Sequence, residues 1–88
     1  MLRITYMPPD EEGLTRKVEG RLTVEYVDEL ARAARHALAD SSRLILDMAD
    51  VSFVDQRGAE LLRLLRGEGV EFTRCSQFVR TLMNGGLK

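Results

Sequence analysis

Three aspartates near the middle of the chain are the residues whose type and spacing could support chemistry. Asp47 and Asp50 follow the apolar run at residues 44–46, and Asp55 follows the next apolar run. If these runs are strands of an open α/β sheet, the aspartates lie where such sheets bind ligands, and grouped carboxylates can hold Mg²⁺. Aspartate more commonly starts turns and caps helices, and the sequence lacks a glycine-rich phosphate loop. We therefore expect structural roles here and no metal site.

The other candidates for chemistry are one histidine, one cysteine and a few hydroxyl groups. His36 lies in a polar stretch without a nucleophile near it, which indicates a solvated side chain. Cys75 follows an apolar run and is interpreted as a small buried residue, although the neighbouring Arg74 would favour a reactive thiolate. Ser76 has the position of an ordinary helix cap. The sequence therefore predicts no catalytic residue and no cofactor.

Length and composition limit what the chain can do. Its 88 residues fit one small domain, residues 1–88, and a composition of 44% hydrophobic and 31% charged residues is typical of a chain that folds. The formal charge of −1 gives no sign of a nucleic-acid partner. A single cysteine excludes an intramolecular disulfide, and no run is apolar enough for membrane insertion, so we predict a cytoplasmic protein. Because a domain this small has modest stability, a partner or a homodimer interface would add to it.

The first half of the chain predicts two strands and a helix. Residues 2–6 alternate apolar and polar side chains up to a pair of prolines, and residues 14–19 alternate again, which is typical of a β-hairpin. Gly20 is expected to end the second strand, and Thr23 to cap a helix that begins near Val24. Apolar residues recur every three or four positions along this helix, and its predicted buried face comprises Val24, Val27, Leu30, Ala31, Ala34 and Leu38.

The second half predicts two further strands, each followed by a helix. Residues 44–46 form a compact apolar run, typical of a central strand that is covered on both faces. After a short loop, residues 51–54 extend the strand pairing, and Asp55 precedes the second helix. The last strand and helix are expected at residues 70–75 and 76–84. The buried face of the second helix is predicted to comprise Gly58, Leu61, Leu62 and Leu65.

The resulting order of elements, ββαβαβα, predicts an α/β domain with a small mixed β-sheet. The first two strands are expected to be antiparallel neighbours, because a short turn joins them. The later strands are expected to be parallel neighbours, because parallel strands need crossover connections and the predicted helices supply them.

Segments of this sequence, taken in order, resemble the STAS domain, the module of anti-sigma factor antagonists and of sulfate-transporter tails. They are residues 20–23 at the start of the first helix, Leu44-Ile45-Leu46-Asp47-Met48, and residues 51–59. Residues 75–87 are similar to the third helix of the family and its closing glycine-leucine step. The resemblance begins near Leu14 and implies the fold of the anti-sigma factor antagonists. It also implies a shortened version, which ends before the last strand and helix of many relatives.

The sequence departs from the family at one functional position. Antagonist-type relatives carry Asp-Ser-Ser-Gly or Asp-Thr-Ser-Gly before the second helix, and a kinase phosphorylates the hydroxyl residue. Here the stretch is Asp55-Gln56-Arg57-Gly58, so the usual phosphoacceptor is replaced. A phosphate would add about −1.5 to −2 charges at a helix start that favours anions, whereas Arg57 places a cation there. Ser52, Thr73 and Ser76 could in principle replace the acceptor, but structural roles explain them more simply.

The outer face of the second helix is the candidate partner site. Arg57, Glu60 and Leu64 recur there at three and four residues, away from the predicted core face. A leucine that is exposed to solvent among charged side chains can form part of a protein-binding surface. The resemblance implies that partners dock on this region. The predicted partner-binding residues are Asp55, Gln56, Arg57, Glu60 and Leu64.

These observations predict a non-enzymatic, STAS-type protein-interaction module in a bacterial regulatory pathway. It would be similar to an anti-sigma factor antagonist, without the usual phosphoacceptor, and its protein partner would be a kinase-like anti-sigma factor or a transporter subunit. Two alternatives stay open. One is an accessory STAS subunit of a lipid-transport ABC system, and the other is a small-molecule or nucleotide-binding domain that uses Asp47, Asp50 and Asp55.

Overall fold

The computed structural model describes residues 1–9, 11, 13–40 and 43–84, which form a four-stranded mixed sheet and three helices. The order ββαβαβα and the small α/β sheet are as predicted, and the strands lie side by side in the order β1-β2-β3-β4. The predicted glycine-leucine step at residues 85–87 lies outside the described residues. The elements are β1 (Leu2–Tyr6), β2 (Leu14–Leu22), α1 (Val24–Asp40), β3 (Leu44–Val54), α2 (Gln56–Gly67), β4 (Glu71–Thr73) and α3 (Gln77–Met83).

Strand pairing follows from the connections between the strands. β1 and β2 form the predicted antiparallel hairpin, in which Ile4 lies opposite Val18. β3 runs parallel to β2, and β4 runs parallel to β3, since α1 and α2 supply the crossovers. Because the strand order continues in one direction, right-handed crossovers place both helices on the same face of the sheet.

β2 and β3 are longer than the sequence pattern predicted. Gly20 does not end β2, which continues to Leu22. Gly20 has a φ of +100°, and a Cβ at this position would collide with the Met1 carbonyl oxygen, so glycine permits a close approach within the hairpin. β3 continues through residues 48–50, where a loop was predicted after Asp47. The pairing of β2 with β3 shifts register between Lys17 and Glu19 and again between Gly20 and Arg21.

The hydrophobic core lies between one face of the sheet and the helices. Alternation along β3 directs Leu44, Leu46 and Met48 to this face, and each is at most 1% exposed. The buried apolar side chains of all three described helices belong to the same core cluster. They are Leu30, Ala34 and Ala37 of α1, Ala59, Leu61, Leu62 and Leu65 of α2, and Val79 and Met83 of α3. Burial of these side chains is the main term that favours folding.

The opposite face of the sheet carries no helix in the part of the chain that the structure describes. Ile45 and Asp47 of β3 point to this open face, next to Thr15 and Lys17 of β2. The prediction that residues 44–46 are covered on both faces is therefore wrong. Ile45 lies outside the core cluster, although its surroundings on the sheet leave it only 9% exposed. None of the described helices is long and apolar enough to cross a membrane.

Candidate functional site

Asp55 fixes the starts of the two helices that frame the candidate site. Its Oδ1 accepts a hydrogen bond from the Gly58 N–H at 2.8 Å, and its Oδ2 accepts one from the Val24 N–H at 2.8 Å. Its own backbone N–H donates to the Leu22 carbonyl oxygen at 3.0 Å. Asp55 therefore caps α2, and it also supplies at α1 the side-chain cap that the sequence pattern had assigned to Thr23.

Gly58 brings the start of α2 against the end of β2. A Cβ at this position would lie 2.7 Å from the Leu22 carbonyl oxygen and 3.0 Å from a methyl carbon of Val54. These distances leave no room for a side chain without a shift of backbone or core atoms. The close packing of Gly58 and the hydrogen bonds of Asp55 together hold the intervening residues 56–57 in one position.

Gln56 and Arg57 stand where the resemblance to antagonist-type STAS domains implies hydroxyl residues, and both are exposed in the first turn of α2. Neither side chain is hydrogen-bonded or ion-paired with another described residue. The positive partial charge of a helix start is unfavourable for the Arg57 guanidinium, so the fold itself gives no reason for an arginine here.

A shallow depression of about 330 Å³ lies between α1 and α2. Val24 and Leu64 are 61% and 52% exposed and contribute apolar surface to it. Of the predicted partner-binding residues, the depression brings together Arg57, Glu60 and Leu64, whereas Asp55 and Gln56 do not line it. We call this depression the α1–α2 groove; its lining residues are Val24, Val27, Asp28, Arg57, Glu60, Leu61 and Leu64.

The sequence pattern missed the contribution of α1 to this groove. It placed Val24 in the buried face of α1, which is wrong, and it did not single out Asp28 as a site residue. Val24 is the first residue of the helix, ahead of the turn at which the helix meets the core, so helical spacing alone could not show its exposure. Its place directly after the predicted cap was the one signal available.

The three central aspartates each have a separate structural partner. The Asp47 carboxylate accepts from Arg74 Nη2 at 2.6 Å and Nε at 3.2 Å, and this bond holds the pKa of Asp47 below its usual range although burial opposes the effect. Asp50 forms an ion pair with Lys17 at 3.1 Å, and Asp55 caps two helices. The described residues include no group of three His, Cys, Asp or Glu side chains that could hold a metal ion. The structure therefore does not unite these carboxylates into one site.

The remaining candidate residues have local roles. Ser76 Oγ accepts from the Val79 N–H at 3.1 Å, so its prediction as a helix cap is confirmed. Ser52 is exposed, and its hydroxyl donates to the Gly20 carbonyl oxygen at 3.2 Å. Burial raises the pKa of the Cys75 thiol, with Arg80 opposing, which disfavours the reactive thiolate. His36 is exposed on α1, as predicted.

Comparisons with known proteins show a fold like that of SpoIIAA. No family model and no curated protein matches the sequence. Among solved structures, the chain is similar to the anti-sigma factor antagonist SpoIIAA in its unphosphorylated form. The TM-score is 0.69, with 17% identity, over 96% of this chain and 84% of that one. An uncharacterised protein from Shewanella loihica with a SpoIIAA-like fold matches with a TM-score of 0.61 and 16% identity, over 97% of this chain and 80% of that one. The chain therefore has a SpoIIAA-like fold, as the sequence segments predicted.

Proposed function

We propose that this chain is a protein-interaction module without catalytic activity, and that it binds a regulatory partner through the α1–α2 groove. The observation that carries the proposal is the juxtaposition of exposed Val24 and Leu64 with Arg57, whose charge has no partner among the described residues. The SpoIIAA-like fold supports a role like that of an anti-sigma factor antagonist in a bacterial cytoplasm. Gln56 and Arg57 in place of hydroxyl residues indicate that binding is not controlled by phosphorylation at the start of α2.

The charges around the groove define the partner surface that would fit it. An apolar side chain of the partner would contact Val24 and Leu64 and remove both from water. A carboxylate of the partner would pair with Arg57, and a cation would pair with Asp28 or Glu60, so that each charge at the rim has a counterpart. A kinase-like anti-sigma factor is the partner class that the fold likeness favours, and a transporter subunit is the other.

Replacing both Arg57 and Leu64 by alanine is expected to abolish partner capture without affecting folding. Each side chain is exposed, so each substitution should change the free energy of unfolding by less than about 0.5 kcal/mol. Loss of an interface anchor weakens binding by about 2 kcal/mol or more, which is roughly a 30-fold rise in Kd. The measurement is a pull-down from the host extract, followed by titration of the recovered partner against both chains.

A matched control removes an exposed apolar residue and an arginine elsewhere on the molecule. The variant with Met7→Ala and Arg32→Ala should recover the partner as well as the wild-type chain does, because neither residue lines the groove. Equal recovery by the groove variant and the wild-type chain would place the binding surface elsewhere.

A kinase encoded beside this protein is expected to transfer no phosphate to residues 55–58, because the stretch contains no hydroxyl group. Mass spectrometry after incubation with the kinase and ATP is the measurement. The double substitution Gln56→Ser and Arg57→Ser restores Asp-Ser-Ser-Gly and serves as the positive control for kinase activity. A phosphate on Ser52 of the wild-type chain would show that the acceptor has moved by a few residues and would contradict the loss of the switch.

A further inference from the structure

A second depression, of about 500 Å³, lies between α3 and the edge strand β4, and it shares no residue with the α1–α2 groove. Val70 and Met83, which are buried, and the half-buried Phe72 give it an apolar floor. The exposed side chains of Arg66, Arg74 and Arg80 line it as well. The depression therefore combines apolar surface with three guanidinium groups.

Two of these arginines have no acidic partner within the described residues. Arg66 Nη1 donates to Asn84 Oδ1 at 2.9 Å, and Arg80 Nη2 is 3.4 Å from the Cys75 carbonyl oxygen, so both contacts are to neutral groups.

Among the described residues that line the depression, Glu71 has the single carboxylate, and this group accepts a hydrogen bond from Arg43 Nη2 at 2.8 Å. Two positive charges at this depression thus have no acidic partner in the part of the chain that the structure describes, although the formal net charge of the chain is −1.

Arg74 is held at this depression by an uncommon backbone conformation. Its φ of +56° is the only positive φ of a non-glycine residue in the described part of the chain. Two hydrogen bonds to the Asp47 carboxylate hold the guanidinium at the carboxyl end of β4. Backbone conformations of this kind cluster at functional sites, and open α/β sheets bind ligands beyond the carboxyl ends of their strands.

We propose that this depression binds a small amphiphilic anion. A carboxylate or phosphate group would lie at Arg80, near the carboxyl end of β4, and an acyl or aryl body would contact Val70, Phe72 and Met83 toward Arg66 at the other end of α3. An inorganic ion alone would leave most of the space unfilled, since 500 Å³ corresponds to about seventeen water molecules at ~30 Å³ each. The shared chemistry, an apolar chain with an anionic head, could come from a free metabolite or from an anionic lipid.

The first test titrates three probes into isotopically labelled full-length protein and follows the backbone amides by NMR. Octanoate is expected to give saturable shifts near Phe72, Cys75 and Met83. Octanol, which lacks the charge, should bind at least tenfold more weakly, and inorganic phosphate, which lacks the apolar body, should give no saturable shift. Octanoate should also slow the alkylation of Cys75, the single cysteine of the chain. Equal binding of octanoate and octanol would overturn the proposal.

Variants of the arginines separate a charge-dependent site from general apolar binding. Arg66→Gln combined with Arg80→Gln should weaken octanoate binding at least tenfold. Arg32→Gln, which removes an exposed arginine of α1 away from the depression, should leave it unchanged. Replacing Arg66 and Arg80 by lysine keeps both charges and should retain most of the octanoate binding. If the lysine variant binds and the glutamine variant does not, loss of charge and not misfolding is the cause. Unchanged octanoate binding by the glutamine variant would also overturn the proposal.

Sedimentation with phosphatidylglycerol vesicles distinguishes the two sources of the ligand. Binding to vesicles that is lost in the Arg66 and Arg80 glutamine variant would identify an anionic lipid as the source. Octanoate binding without sedimentation would identify a free anion instead.

Discussion

Replacing Met48 by aspartate should unfold the chain, whereas the same replacement at Ile45 should leave it folded. Met48 is 1% exposed and belongs to the core between the sheet and the helices. Burying an unpaired carboxylate there costs several kcal/mol, and the lost side-chain packing adds about 2–5 kcal/mol. The sum is comparable to the whole stability of a small domain, about 5–15 kcal/mol.

Ile45 lies on the open face of the same strand, which makes it the matched control. An aspartate at this position can reach water; Lys17 lies diagonally on the same face of β2, whereas Glu71 lies directly opposite on β4. We expect a loss of about 2–5 kcal/mol, because the apolar contacts of a nearly buried isoleucine are removed without the added cost of burying a charge. Urea titrations followed by circular dichroism measure both variants. If Ile45→Asp unfolds the chain as completely as Met48→Asp, the open face is covered by something that the described residues do not show.

Met48 is a better position for this test than Leu46, although both are buried in the core. Leu46 pairs across the sheet with Arg16, which is 9% exposed and stacks on the ring of Tyr6 at 4.1 Å. The Nε atom of Arg16 is buried without a hydrogen-bond partner among the described residues. A new carboxylate at Leu46 could pair with this guanidinium, and the pair would mask the cost of burying the charge.

The sequence predicted the element order because each element has a local pattern of its own. The alternation in residues 14–19 and the spacing of Leu61, Leu62 and Leu65 in α2 are local periodicities, and the structure confirms both elements. The loop predicted after Asp47 is part of β3, and the predicted cover of both faces of β3 was wrong as well. The sequence of an inner strand can be apolar even when one face of the strand carries no helix, because the side chains of the two neighbouring strands also bury residues on that face.

The candidate site was only half predictable, because it joins residues that are distant in the sequence. The spacing of Arg57, Glu60 and Leu64 on one helix was sufficient to place them together. The contribution of Val24 and the bond from its N–H to Asp55 depend on the crossover that brings residues 24 and 55 together. The pattern of a single element carries no information about such a contact.

The bridging role of Asp55 makes Asp55→Ala the other substitution with a large expected effect. It removes the acceptors for the Val24 and Gly58 N–H groups at once. Loss of one helix cap costs about 0.5–2 kcal/mol, so we expect a destabilisation of about 2–3 kcal/mol. At about 4–8 °C per kcal/mol for a domain of this size, Tm should fall by roughly 10–20 °C. Differential scanning calorimetry is the measurement.

Two single-cap variants show whether the large effect of Asp55→Ala comes from capping two helices. Ser76→Ala removes the one bond that caps α3, and Asp55→Asn keeps one acceptor oxygen at the junction of α1 and α2. Each should lose about half as much stability as Asp55→Ala, since each removes one cap. If Asp55→Ala costs no more than Ser76→Ala, the two hydrogen bonds of Asp55 do not both stabilise the fold. Gly58 packing against Leu22 would then be what holds the start of α2, and with it the α1–α2 groove, in place.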